Sequence, residues 1–506
     1  MKLILNPHRT QIQDAPEGAL AIIQKALALP TIDGEETTSL LTGTTFPTRC
    51  YRRAIVALRA AGHSPEICYN YYGPKFDLAW WDSHSDLIKS WKLRGKYQPE
   101  GVRALLLRMG GVLHAAVGSG KTVMAARCLQ AICTEWRDGY WPTVLWLAQT
   151  KEQVTQAQEA INSAGLARIP SIHVMCWQNA KSWSALLPSV DVLIGDEIHA
   201  SSDALFNIAN ACENAWWRIG LTATYVRGDN RELIMEAAFG ERVANISQPR
   251  VREEGQLGGG EVRFVQVHQE GELADPIAKE AAPEIEKMLR KYRGWARREF
   301  KKTRTKAGKQ MVAKAFKEKI NKQRRQITYR IARNVGVVQN SERNALVAST
   351  ANEYIAEGLS LLVLVATKEQ GRELAELISG SRFVHSTMRV KEGRRADVIS
   401  DLQAGELRCM IATSLADQGL DVPRIGAVFM AGGGEGGKEG DLVEQRSGRG
   451  QRTFAEKHIG LVVDVFDAGH PMLESQSWQR FNAYKRLGFK IEMPRLREMI
   501  AAVKRS

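Results

Sequence analysis

The segment Ala115-Ala116-Val117-Gly118-Ser119-Gly120-Lys121-Thr122 sets two glycines, a serine, a lysine and a threonine in an order that suits a chain of phosphates. Gly118, Ser119 and Gly120 let backbone N–H groups close around phosphate oxygens, and the helix expected over Val123–Ile132 adds the partial positive charge of its N-terminus. Lys121 is placed to reach the β- and γ-phosphates, and the Thr122 hydroxyl to ligate Mg²⁺. The first glycine of the usual G-x-x-x-x-G-K-[ST] spacing is Ala115 here, so a glycine-rich turn with a chance lysine is the plain alternative. Beyond it, the apolar run Val190–Gly195 ends in Asp196-Glu197-Ile198-His199. Two carboxylates at that point suit metal and water chemistry: Asp196 would hold Mg²⁺ through water, and Glu197 would orient or deprotonate the attacking water. Standing alone, such a pair is commonly a solvated loop.

Groups this far apart in the chain need a scaffold to meet. Short apolar runs alternate with helical patterns twice, which predicts α/β units with parallel sheets. In residues 93–270 the runs are Gly111–Val117, Thr143–Ala148, Val190–Gly195 and Trp217–Leu221. In residues 341–470 they are Leu361–Val365, Arg382–His385, Cys409–Ala412, Ala427–Ala431 and Gly460–Val465. A small α+β domain over 1–92, a basic helical insertion over 271–340 and a basic helical tail over 471–506 complete the plan. At 506 residues the chain is too long for one core. Its seven cysteines are scattered with no C-x-x-C pair, which argues against a disulfide framework or a zinc site. No apolar run approaches a membrane span and the N-terminus lacks a signal-peptide core, so a soluble cytoplasmic protein is expected.

The formal net charge of +14 is concentrated. Between Lys287 and Arg330 there are 18 basic and 2 acidic residues, so the rest of the chain is close to neutral. Ile285, Met288, Leu289, Tyr292, Ala296 and Phe300 recur at helical spacing, and Val312, Phe316, Ile320, Ile327 and Ile331 do so after a break at Thr303–Gly308. This predicts a helical hairpin with Arg297, Arg298, Lys301, Lys302, Arg324 and Arg325 facing outward. So dense a charge repels itself unless a polyanion such as a nucleic-acid backbone supplies the counter-charge; an acidic protein surface is the alternative. In the N-terminal region, Arg49, Arg52, Arg53 and Arg59 share one side of a helix near Thr48–Ala60, as a phosphate-binding face or a solvated one. The pairs Trp80-Trp81 and Trp216-Trp217 read as core.

Taken in order, these segments resemble the motifs of superfamily 2 helicases. Ala115–Thr122, Asp196–His199 and Gly220-Leu221-Thr222-Ala223-Thr224 are similar to motifs I, II and III. Ala412–Pro423 is similar to motif V, and Gln445-Arg446-Ser447-Gly448-Arg449-Gly450-Gln451-Arg452 to motif VI. Leu93–Gln98 resembles the LRxYQ element with one extra residue, Ala148–Lys151 motif Ia, and Leu361–Gln370 motif IV. The resemblance implies two tandem RecA-like domains with ATP between them. It makes Arg449 and Arg452 arginine fingers, Gln98 the adenine reader, Asp421 the ribose contact, Gly419 a phosphate-region residue and Gln445 a cleft residue near His199. It makes His199, Thr222 and Thr224 coupling residues, and Thr150 and Thr413 contacts to the nucleic-acid backbone. Gly432–Gly440 reads as a flexible connector.

Motif III in its Gly-Leu-Thr-Ala-Thr form tilts the resemblance toward DNA-acting members. Ile331–Asn334, Phe46-Pro47-Thr48 and Ala60–His63 look like segments of phage UvsW-type helicases, with RecG and XPB-like relatives behind. The expectation is a monomeric, ATP- and Mg²⁺-dependent DNA helicase or translocase that remodels branched or forked DNA, in a bacterial cell or phage-infected host. An RNA helicase, the motor of a restriction or defence complex, and an ATP-gated clamp without unwinding are the alternatives.

Overall fold

The computed structural model describes residues 1–28, 39–69, 73–136, 140–199, 202–225, 232–255, 259–268, 273–303, 305–385, 395–413, 425–434, 443 and 459–493. The chain divides into two compact units near residue 258.

The first unit begins with a four-stranded mixed sheet built from β1 (Lys2–Leu5), β2 (Arg9–Gln13), β3 (Thr45–Pro47) and β4 (Glu66–Tyr69), in the order β3-β2-β1-β4. Alternation puts Leu3, Leu5, Thr10 and Ile12 on the covered face. A second sheet follows: β5 (Gly110–Ala115), β6 (Val144–Ala148), β7 (Ile172–Cys176), β8 (Val192–Asp196), β9 (Trp217–Thr222) and β10 (Arg242–Ile246). Its order is β10-β5-β9-β8-β6-β7 and every pairing is parallel. Every residue of β6, β8 and β9 is buried, which is why these strands read as continuous apolar runs. Arg218 lies inside β9 at 1% exposure, its guanidinium donating to the carbonyls of Cys212, Ala215 and Ala238. Trp216 and Trp217 are core, and Trp80 and Trp81 pack against it.

The small N-terminal sheet shares its core with the larger one: Leu3, Ile12, Phe46 and Leu58 belong to the same apolar cluster as Leu105, Leu129 and Trp217. The helix Tyr51–Ala60 and the turn before it seal this contact. Arg52 Nη1 lies 2.8 Å from Glu241 Oε1, Arg53 Nη2 lies 2.6 Å from Glu236 Oε2, and Arg49 donates to the Met109 carbonyl at 3.3 Å. The expected phosphate-binding or solvated face therefore has another use: three of its four arginines clamp one part of the unit to another.

The second unit holds β11 (Gly259–His268), β12 (Leu361–Leu364), β13 (Ser381–Val384), β14 (Cys409–Ala412), β15 (Ala427–Met430), β16 (Ile459–Ala468) and β17 (Lys490–Glu492). They form one parallel sheet in the order β13-β14-β12-β15-β16-β11-β17. Two expected boundaries shift. The first α/β unit was expected to run to residue 270, but β11 pairs along its whole length with β16 and belongs to the second sheet. The expected basic tail is a working layer of this unit: the helix Pro471–Arg486 buries Leu473, Ala483 and Tyr484, and β17 extends the sheet.

The insertion is the expected helical hairpin, Ala274–Lys302 and Lys306–Arg333, with Thr305 capping the second helix through the Gly308 N–H at 3.1 Å. Its base is fixed by Leu273, Ile277, Ala281, Ile331, Ala332 and Val337 around Leu473. A π-helical turn, Asn334–Val338, leads from it to the helix Ser341–Ala356. Among the described residues no helix is long and apolar enough to cross a membrane.

Candidate functional site

The sheet topology of the first unit lines up the ends of β5, β8 and β9, since β9 lies between the other two. The loop after β5 turns through Gly118 and Gly120, with φ of 82° and 83°, a region that costs glycine little and other residues much. Lys121 opens the helix Lys121–Thr134, with Thr122 beside it in the first turn. The Lys121 ammonium donates to the Ala115 carbonyl at 3.2 Å and lies 3.7 Å from Glu197 Oε1. The Ser119 hydroxyl is buried without a hydrogen-bond partner inside the loop.

Asp196 ends β8, 7% exposed, its Oδ1 accepting the Glu197 N–H at 3.0 Å. Glu197 adopts φ 49°, a left-handed conformation that a glutamate reaches only at a cost in strain. Burial and the charge of Glu197 push the Asp196 carboxyl up; burial also raises Glu197, but Lys121 and His199 outweigh it and hold that carboxyl below its ordinary range. His199 Nδ1 lies 3.3 Å from Glu197 Oε2 and 2.9 Å from Thr222 Oγ1. Thr222 donates that hydroxyl to the Thr224 carbonyl at 2.7 Å and accepts from the Thr224 N–H at 3.1 Å. Its hydroxyl proton being committed, Thr222 accepts from His199, which places the proton on Nδ1. Gly195 and Gly220 pair across β8 and β9, and a Cβ on either would meet Phe239 or Ile198 closer than 3 Å; this close packing seats Ile198 beneath the turn.

Lys121, Asp196, Glu197, His199, Thr222 and Thr224 thus form one connected cluster. Its donor set fits a magnesium nucleotide: a loop of backbone N–H groups with an orphan buried hydroxyl, one ammonium, the Thr122 hydroxyl and two carboxylates of opposed proton affinity. Gln98 is 2% exposed, and its amide donates to the Ser119 carbonyl at 2.7 Å and accepts the Arg94 N–H at 2.7 Å. In this structure it braces the phosphate loop. Thr150 caps the helix Lys151–Ser163 in a reciprocal box with Gln153, and Thr413 sits 9% exposed just past β14. Gly419, Asp421, Gln445, Arg449 and Arg452 lie outside the described residues. Gly432–Gly434, the described start of the expected flexible connector, are packed instead: a Cβ at Gly432 would stand 2.7 Å from the Ala366 nitrogen, and the Gly434 carbonyl accepts from Arg480 at 2.6 Å.

On the hairpin of the second unit, Arg297, Arg298, Lys301, Lys302, Arg324 and Arg325 are all exposed. Lys302 pairs locally with Glu299 at 3.0 Å. Arg324 and Arg325 line a groove with Lys322 and Met472. His114, which the motifs do not single out, lies on β5 with its Nε2 3.1 Å from the Ala223 carbonyl in the threonine turn. A lone histidine within an apolar strand leading to a phosphate loop was the available signal.

A parallel sheet ending in a phosphate loop, paired carboxylates and a threonine turn, followed by a second parallel-sheet unit, gives the chain two RecA-like units. Residues 346–453 match the helicase conserved C-terminal domain. Over 343 residues the chain is 23% identical to the DNA 3'-5' translocase XPB2 of Sulfurisphaera tokodaii, spanning 67% of this chain and 74% of that protein. A fragment of an HsdR subunit of a type I restriction enzyme from Vibrio vulnificus shares the fold, with a TM-score of 0.50 and 18% identity over 78% of this chain and 67% of that one. The structure of UvsW from bacteriophage T4 aligns over 97% of this chain and 99% of that one, with a TM-score of 0.41 and 14% identity. The matched C-terminal domain and the translocase relative make the chain similar to superfamily 2 helicases and support an ATP-hydrolysing enzyme.

Proposed function

We propose that this chain is a DNA helicase or translocase that remodels branched or forked DNA, driven by Mg²⁺-dependent ATP hydrolysis in its first unit. The observation that carries the reading is the unbroken set of contacts from Lys121 through Glu197, His199 and Thr222 to Thr224. It joins the residues that would handle phosphate and water to a turn that would report on the track. Bound Mg²⁺ would supply charge neutralisation between the terminal phosphates, held by Thr122 and, through water, by Asp196. Glu197, kept ionised by Lys121 and His199, is the base that orients the attacking water. Arg449 and Arg452 are assigned to the charge that develops on the transferred phosphoryl group, and Gly419, Asp421 and Gln445 to nucleotide contacts.

DNA as the track is supported by the name of the translocase relative and by the dense basic hairpin, whose exposed cations match a phosphate backbone in charge. Side-by-side ATPase rates with single-stranded, duplex, forked and four-way-junction DNA and with RNA test the reading. Forked or four-way DNA is expected to stimulate most; strongest stimulation by RNA would overturn the choice of track.

A further inference from the structure

The threonine turn of the first unit is also anchored by a second set of contacts, through the residue that follows it. Tyr225 follows Thr224 directly, and its hydroxyl donates to Glu236 Oε1 at 2.8 Å. The other oxygen of that carboxylate accepts from Arg53 Nη2 at 2.6 Å and Nε at 3.1 Å. Arg53 belongs to the helix Tyr51–Ala60 of the small N-terminal domain. Arg242 stacks over the Tyr225 ring at 4.8 Å, and His114, from the strand feeding the phosphate loop, lies 6.0 Å from that ring while bonding the Ala223 carbonyl. Glu236 is 14% exposed, so its contacts are only weakly screened.

We propose that Tyr225 is a positioning residue for ATP hydrolysis, fixing Thr222–Thr224 through Glu236 to Arg53 so that the seating of the N-terminal domain sets the alignment of His199 and Glu197. The physical basis is short. Thr222 Oγ1 accepts from His199 only while its own proton is held by the Thr224 carbonyl. A shift at residue 225 therefore moves the acceptor that orients His199, and His199 in turn flanks Glu197. Three arginines of the N-terminal domain grip the same region, at Met109, Glu236 and Glu241, so the domain holds this turn and the base of β5 together. The inference rests on the reading of Lys121 and Glu197 as the hydrolytic centre.

The test is a double-mutant cycle in the full chain, with Tyr225→Phe, Arg53→Ala and their combination, beside Arg53→Lys and a Lys121→Ala control. Steady-state kcat and KM for ATP are read well below each melting midpoint. Each single variant is expected to lower kcat by about ten-fold, the scale of one lost hydrogen bond to a charged group, with KM for ATP unchanged. The combination is expected to fall no further than either alone, and Arg53→Lys to recover most of the rate. Unchanged kcat, losses that multiply in the combined variant, or a rise in KM that accounts for the fall in kcat/KM would each overturn the proposal. Full activity in Lys121→Ala would instead remove the site assignment beneath it, a failure read independently of the cycle.

Discussion

Thr150 caps a helix after β6 and Thr367 caps one after β12, each accepting from the backbone N–H of a glutamine three residues on at 3.3 Å. Both glutamines then turn back, Gln153 to the Gln149 and Thr150 N–H groups and Gln370 to that of Ala366. The two α/β units share this local construction and differ in what they do with charge. In the second, Arg343 grips Asp467 at 2.6 and 3.2 Å and Arg480 grips Asp464 at 3.0 Å; all four are buried, both arginines donate further to carbonyls, and Asp464 accepts from Tyr484. In the first, Lys121 and Glu197 stand 3.7 Å apart at the strand ends, with an orphan serine hydroxyl beside them. Charge closed on itself builds a scaffold; charge left under-bonded is held ready for a ligand.

That contrast can be broken by experiment. The largest effect belongs to Lys121→Ala, which should lower ATP turnover by about a thousand-fold while leaving the melting midpoint nearly unchanged. Persistent turnover would remove the phosphate-loop assignment. Next, Arg480→Ala leaves Asp464 buried without its cation and should cost about 3–5 kcal/mol of stability in the second unit, seen in chemical denaturation. A small loss would show that the pair is not the scaffold its burial implies.

The nucleic-acid reading gives a third expectation. Replacing Arg297, Arg298, Lys301, Lys302, Arg324 and Arg325 with glutamine should flatten the salt dependence of DNA binding, by up to about five units of log–log slope. An unchanged slope would place the backbone contacts elsewhere. The smallest effects come from the caps: Thr150→Val and Thr367→Val should each cost about 1 kcal/mol. If Thr150 also touches the track, its variant alone will weaken DNA binding, which separates capping from contact.

Most of the scaffold was legible because it is local. Buried strands such as Leu361–Leu364 and Cys409–Ala412 are apolar runs bounded by turns, and the loop at Gly118–Thr122 joins its strand and helix within a few residues. What escaped depends on distant partners. The sequence places β11 with the first unit because its neighbour, β16, follows some two hundred residues later, against the tendency of successive strands to lie together. Arg52 and Arg53 looked like a phosphate face because their acids, Glu241 and Glu236, come 189 and 183 residues further on. Arg480 makes its helix read as part of a basic tail, and its acid, Asp464, lies on the neighbouring strand β16. At the site, the carboxylates and the threonine turn were readable as types; the hydrogen bond joining His199 to Thr222, and the use of Gln98 as a loop brace, required the fold.

Hydrolysis and nucleotide binding by the Glu197→Gln variant of the full chain, at saturating DNA, bear most directly on the first unit as the hydrolytic centre. Losing the base while keeping the loop, this variant should bind ATP with wild-type affinity and turn it over at least about a hundred-fold more slowly. Turnover within about two-fold of the wild-type rate would contradict that role for Glu197, and with it the contact chain on which the proposed function rests.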